Sequence, residues 1–169
     1  MTVTAAWAEF NGASAYATPD VADITNTNWG SADSANLVAA SNPITAGTNS
    51  YEKKHAVKFT ITASETADTF YFGATAGLTG AGDITGNNDT YVFKDVGDKT
   101  TLTAPSQTTM TGSSNVPASI AAVPATNIAG GPADATGEGS NFFLHQIQVH
   151  ALSTAGTSIT VGFRYVVTA

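Results

Sequence analysis

There is no cysteine in the 169-residue chain, which excludes disulfides, thiolate metal sites and thiol nucleophiles. Charge is nearly as scarce. Charged residues make up 11% of the chain, with six basic against thirteen acidic side chains. A net charge of −7 speaks against nucleic acid as a partner, because phosphate contact needs clustered Lys and Arg. No run approaches the roughly 18 apolar residues of a membrane-spanning helix, so no membrane partner is expected. The opening MTVTAAWAEFNG lacks the basic and apolar regions of an export signal, so synthesis and assembly in a cytoplasm are expected. The mature form of a secreted protein would read the same way. Helical periodicity is also nearly absent. The best candidate is SADSANLVAA at 31–40, with Ser31 or Asp33 as N-cap, and it predicts at most a turn or two.

What the chain does have is apolar and aromatic. Apolar residues reach 42%, with eight Phe, five Tyr and two Trp, enough to anchor one core. The length predicts a single domain over 1–169 that buries roughly 70% of its unfolded surface. Strand signals recur. TVTAAWAEF alternates loosely from Thr2 to Phe10. In YEKKHAVKFTIT, His55, Val57, Phe59 and Ile61 share one face, and Lys54, Lys58, Thr60 and Thr62 the other. That period of two is the mark of a half-buried strand. DTFYFGAT places Phe70 and Phe72 opposite Tyr71, and DTYVFKDV sets Tyr91 and Phe93 against Val92 and Lys94. The last two segments, 142–152 and 158–168, align Phe143, His145, Ile147 and Val149, then Ile159, Val161, Phe163 and Tyr165. The STAG between them predicts a C-terminal β-hairpin. The expected class is therefore all-β, an antiparallel β-sandwich of jelly-roll type.

One stretch breaks the pattern. Residues 104–140 hold four of the six prolines and almost no charge. Met110, Val116, Ile120, Val123 and Ile128 recur along it. A segment of this length is functional or disordered. It predicts a long extended Pro/Ala/Gly-rich arm lying in a groove of its own or a neighbouring subunit, and a floppy surface loop is the plainer alternative.

Residues able to do chemistry are few and scattered. His145 and His150 point to opposite faces of a regular strand and cannot share a metal. His55 could meet His145 across a sheet, most simply as a core or rim pair. In GDITGNND, Asp83, Thr85, Asn87 and Asp89 alternate as oxygen donors. Calcium accepts such ligands, but a turn between two strands explains Asp83, Asn87 and Asp89 without metal, so no metal and no cofactor are expected. No Gly-x-Ser-x-Gly elbow or phosphate-cradling glycine loop is present. An enzyme is not expected.

Half of the basic residues sit together: Lys53, Lys54 and Lys58 at the head of one predicted strand, beside Tyr51. Two readings apply. In the first, the lysines guard a strand edge against unwanted pairing. Alternatively Tyr51, Lys53, Lys54 and Lys58 form a partner-binding strip that docks on an acidic surface, with Lys54 and Lys58 on one face and Lys53 on the other.

Three quoted stretches carry a resemblance: WAEFNG (Trp7, Glu9, Phe10, Asn11, Gly12), NWGSAD (Asn28, Trp29, Gly30, Ser31, Asp33) and ITAGTNSYEK (Ile44 through Lys53), followed by a terminal FRYVV. In this order they resemble a group of tailed-bacteriophage virion structural proteins. The chain departs from that pattern after the lysine pair, where His55 and Ala56 replace a second aromatic or Arg-rich stretch. The resemblance implies a capsid decoration (cement) protein on the virion surface, assembled in the host cytoplasm. It implies binding to the major capsid protein and self-association, a trimer among the options. The competing reading is a carbohydrate-binding or adhesin-like β-sandwich in which Trp7, Trp29 or Tyr16 stacks on sugar rings. Core packing is the simpler role for the two Trp.

Overall fold

The computed structural model describes residues 2–25, 27–62, 65–78, 83–84, 88–119, 126–128, 136–153 and 160–168. Eight strands form: β1 (Thr2–Phe10), β2 (Lys53–Thr62), β3 (Thr66–Ala76), β4 (Thr90–Asp95), β5 (Ser114–Asn115), β6 (Thr126–Ile128), β7 (Phe143–Gln148) and β8 (Thr160–Thr168). All pairings are antiparallel. One sheet runs β1-β2-β7-β4-β5 and the other β6-β3-β8. The inner faces meet in a core of Val57, Phe59, Tyr91, Phe93 and Phe143 from the larger sheet and Ala67, Phe70 and Phe72 from the smaller. The alternation read in β2 and β3 is the alternation that buries these side chains, because successive side chains of a strand leave opposite faces. The chain is an all-β antiparallel sandwich, as its pattern predicts.

The connections differ from expectation. β7 pairs with β2 and β4, whereas β8 pairs with β3 in the other sheet. The two strands of the predicted C-terminal hairpin are therefore present, but among the described residues they do not pair with each other. Likewise β3 and β4 lie in opposite sheets, so these two strands do not pair with each other as a hairpin. Short connections mislead here because a sandwich lets adjacent strands cross between layers as readily as pair. Of the predicted 31–40 helix only a 3-10 turn at Ala39–Ser41 is present. Asp33 does not cap it. Its carboxylate accepts from Asn11 Nδ2 and the Gly12 amide, both at 2.7 Å, which ties this loop to the end of β1.

The long 104–140 segment is held by its own subunit wherever it is described. Pro105, Met110 and Val116 are buried. Glu52 and Ser106 exchange bonds, the Glu52 amide donating to the Ser106 carbonyl and the Ser106 amide to Glu52 Oε2, both at 2.9 Å. Met110 and Val116 are thus core residues of this chain rather than contacts to a neighbour. Ile120 and Val123 lie outside the described residues. Residues 136–140 run beside β2, with the Phe59 amide donating to Glu138 O and the Ser140 amide to Val57 O. The approach is so close that a Cβ on Gly139 would fall 1.8 Å from the Val57 carbonyl oxygen. Only glycine permits it.

The outer face of the larger sheet carries a second cluster, Ala8, Phe10, Ala56 and Phe142, with Tyr16 and Val96 against it. Loops cover this face, so the sheet is buried on both sides near its centre. That is why Lys53 through Val57 are five consecutive buried residues, which a half-buried strand would not show. Phe72 lies between the layers, fully buried and touching Trp7, Tyr91, Phe93, Phe143 and His145. Phe72→Ala is expected to cost about 3–5 kcal/mol, read as a lowered urea midpoint with an unchanged slope.

Candidate functional site

The polar residues of β1, β2, β4 and β7 converge inside the sandwich. Strand register sets Glu9 opposite His55, Lys53 opposite His145 and His145 opposite Phe93. All point inward because they share parity with Trp7, Val57 and Phe143. Tyr91 Oη lies 2.5 Å from His145 Nδ1, and His145 Nε2 lies 2.6 Å from His55 Nδ1. His55 Nε2 faces Glu9 Oε2 at 3.8 Å, and Glu9 Oε1 accepts from Lys53 Nζ at 2.6 Å. Both imidazoles and Tyr91 are fully buried, while Glu9 is 2% and Lys53 1% exposed.

This order admits one self-consistent assignment of protons. Tyr91 donates to His145 Nδ1, the neutral His145 donates from Nε2 to His55 Nδ1, and His55 turns its own Nε2–H toward the Glu9 carboxylate. At 3.8 Å that last contact is electrostatic rather than a hydrogen bond. Aromatic rings enclose the chain. Trp7 stands edge-on to His55 at 5.7 Å, and Trp29 stands edge-on to His145 at 5.4 Å and to Tyr91 at 5.3 Å. Burial among these rings pushes both imidazoles down from 6.5, His145 the further, because an imidazolium there loses its water and meets Lys53. Glu9 behaves oppositely. Burial opposes its ionisation, yet His55 and Lys53 outweigh that and bring its carboxyl to about 2. Tyr91 is raised well above 10.0 by burial and stays a donor.

The three clustered lysines also turn inward, which corrects the expectation of an exposed docking strip. Lys53 Nζ reaches the Ser34 carbonyl at 3.0 Å as well as Glu9. Lys54, 1% exposed, donates to Gly12 O at 3.2 Å and Thr103 O at 3.3 Å, and lies 5.1 Å from the Phe142 ring centre. Lys58 is half-buried and donates to Tyr16 O at 3.0 Å, over the Tyr16 ring. Burial lowers the Lys54 ammonium from 10.5, partly offset by Asp33 and Asp20, and lowers that of Lys58 too. Tyr51 is half-buried, and its amide donates to Gly30 O. Loops crossing the sheet bury carbonyls that need donors. In a chain so short of charge, these ammonium groups supply several donors each at the loop crossings.

The suggested calcium ligands do not converge. Asp89 is buried, its Oδ1 accepting from the His150 amide at 2.8 Å and its Oδ2 from Ser153 Oγ at 2.7 Å. Asp83 is exposed, and Asn87 lies outside the described residues. Among the described residues no group of three or more His, Asp or Glu could hold a metal. His55 and His145 do meet across the sheet, and His150 lies apart on an exposed loop. The residues that sequence reasoning missed are Glu9 and Tyr91. The signal for Glu9 was present: it shares parity with Trp7 on a strand whose inner face is otherwise apolar. Trp7 and Trp29 both pack on the core. Each is only half-buried, and their remaining surface lines a cleft of about 330 Å³.

Two outcomes follow for stability. The buried imidazoles are depressed, so the unfolded chain binds protons below 6.5 that the folded chain refuses, and stability falls with pH. As pH falls from 7.5 to 5.5 stability should fall, with roughly 1.4 kcal/mol per pH unit as the ceiling for each group. Glu9, depressed from 4.5 to about 2, adds its loss below that window. Glu52, raised by burial despite its Ser106 bond and Lys94, acts in the opposite sense. Urea unfolding at the two pH values measures the balance, and equal stability at both would contradict neutral buried histidines. Separately, Lys54→Met should cost about 1–3 kcal/mol, since it strands the Gly12 and Thr103 carbonyls, measured by the same titration at pH 7.5.

Comparison with protein-family models, curated proteins and solved structures finds no match to this chain.

Proposed function

We propose that this chain is a structural virion protein, a decoration module that binds and stabilises a shell of major capsid subunits and works without catalysis. One observation carries the reading: the side chains best suited to chemistry are spent on building the module. Glu9, Lys53, His55 and His145 sit in the core, and Lys54 and Lys58 fasten loops to the outer face of the larger sheet. A module so fastened presents a rigid surface of hydroxyl, amide and small apolar groups, which suits a protein that must persist on a particle. The resemblance of the Trp7–Gly12, Asn28–Asp33 and Ile44–Lys53 stretches to tailed-phage virion proteins points the same way.

The inward lysines change how docking works. A net charge of −7 with those three ammonium groups engaged internally leaves little basic surface for an acidic shell. Docking then rests on neutral contacts, and among the described residues the large apolar side chains left exposed on loops are Val38, Leu102 and Leu152. Such contacts are weakly screened by salt, unlike surface ion pairs.

Sedimentation of the purified protein with expanded, undecorated shells tests this. Bound protein should reach saturation, and occupancy should change less than about twofold as salt rises through the range that collapses the Debye length from ~10 to ~3 Å. Failure to sediment with shells removes the decoration reading. Binding that vanishes with salt removes the neutral-contact account and restores a charged one.

A further inference from the structure

One flank of the sandwich carries a cleft. β1 is the outer strand of the larger sheet and β8 the outer strand of the smaller, and among the described residues the two are not hydrogen-bonded to each other. Ile24, Thr25, Thr27 and Trp29 lie beside this gap, and the Ile24 amide donates to the Trp7 carbonyl at 2.9 Å. The 330 Å³ cleft lies here. We propose that it is a binding site for one neutral sugar ring.

Three features of the lining select that class. Trp7, Trp29 and Val161 give it apolar walls, and Thr25, Thr27 and Thr160 add hydroxyls. No charged side chain lines it among the described residues, which disfavours phosphates, carboxylates and cations: a buried ion without a counter-charge is costly. A pyranose presents apolar C–H faces with a rim of hydroxyl groups, so it matches flat aromatic surface and hydroxyl partners together. The volume is near the lower bound of small-ligand pockets, roughly 300–1,000 Å³, and fits a small ligand rather than an extended chain.

The walls are also fixed in advance. Trp7 is held by His55, Phe72 and Phe143, with ring centres at 5.7, 5.7 and 5.8 Å. Trp29 is held by Tyr91 and His145. Behind Trp29, Gly30 has no room for a side chain, since a Cβ would lie 2.3 Å from Leu37 Cδ2 and 2.6 Å from the Asn42 carbonyl oxygen. Rigid walls reduce the entropy lost on binding. The buried proton chain thus has a second consequence: its rings set the orientation of both Trp that face the cleft. This inference does not depend on the decoration reading. A particle-bound module can carry the cleft, and either result leaves the other standing.

The chain has two Trp and both line the cleft, so intrinsic fluorescence reports directly on occupancy. The probes are methyl glycosides of glucose, galactose, mannose and N-acetylglucosamine, and the β-1,4-linked dimers of glucose and N-acetylglucosamine, titrated at pH 7.5. Glycerol and sialic acid serve as controls. At least one neutral glycoside should give a saturable change with a Kd on the order of millimolar, the range of small neutral ligands. The Thr27→Val, Thr160→Val double variant keeps side-chain shape and removes two hydroxyls. It should weaken binding about tenfold or more while its urea midpoint stays at the wild-type value. A dimer binding tighter than its monomer would identify a glycan chain as the source, and equal affinities a single free or terminal sugar. The proposal is overturned by a linear drift matched by glycerol, by sialic acid binding as well as the neutral sugars, or by undiminished affinity in a double variant that folds normally.

Discussion

The buried ion pair between Glu9 and Lys53 is the constraint from which the rest of one end of the sandwich follows. A carboxylate and an ammonium removed from water must find each other and satisfy their remaining bonding capacity, or the site costs several kcal/mol. Here the carboxylate accepts from Lys53 on one oxygen and faces His55 with the other. That polarity fixes the tautomer of His55, then of His145, and leaves Tyr91 as donor at the far end. Four strands contribute, so the chain of contacts also specifies alignment. Slipping β1 or β2 by one residue would carry Glu9, Lys53 and His55 to the other face of the sheet. Such a pair need not add net stability over an apolar replacement. Its evident effect is to single out one register, in which Glu9, Lys53, His55, His145 and Tyr91 all face one another.

The outer face of the larger sheet obeys the same logic with different partners. Tyr16 and Val96, from the loops that follow β1 and β4, pack on Ala8, Phe10, Ala56 and Phe142, and main-chain carbonyls are partly buried there. The ammonium groups of Lys54 and Lys58 reach those carbonyls and lie over Phe142 and Tyr16, gaining cation–π attraction besides. A chain with few charges therefore concentrates lysines at the head of β2 because that end of the strand is covered on both faces. The cluster that reads in sequence as a surface strip is an internal fastening. Residues 104–119, poor in charge, are nevertheless fixed, because Glu52, just before β2, and Gln146 of β7 offer them buried acceptors and donors.

Much of the fold was legible in the amino-acid order. The six longer strands fall where alternation places them, and Phe59, Phe70, Phe72 and Phe93 are buried as their parity requires. The encounter of His55 with His145 was readable as an option. Pairing was not. The short connection after β7 suggested a hairpin, but β8 joins β3 in the opposite sheet, since local spacing carries no information on which layer a strand enters. The role of Lys54 was equally hidden: its parity with Lys58 marks the face away from the core, and only loops remote in sequence bury that face.

Composition and periodicity by themselves determined that this chain builds antiparallel strands around an aromatic core without disulfides. They could do so because side-chain alternation is a local property of extended backbone, written over a few residues at a time. The tertiary structure decided which polar groups meet: Glu9 with Lys53 across 44 positions, Tyr91 with His145 across 54, His55 with His145 across 90. It also decided that Trp7 of β1, Val161 of β8 and Trp29 line one cleft. Those outcomes depend on how strands are dealt between the two sheets. That choice is settled by the mutual satisfaction of buried groups brought from distant parts of the chain, which no single stretch of sequence contains.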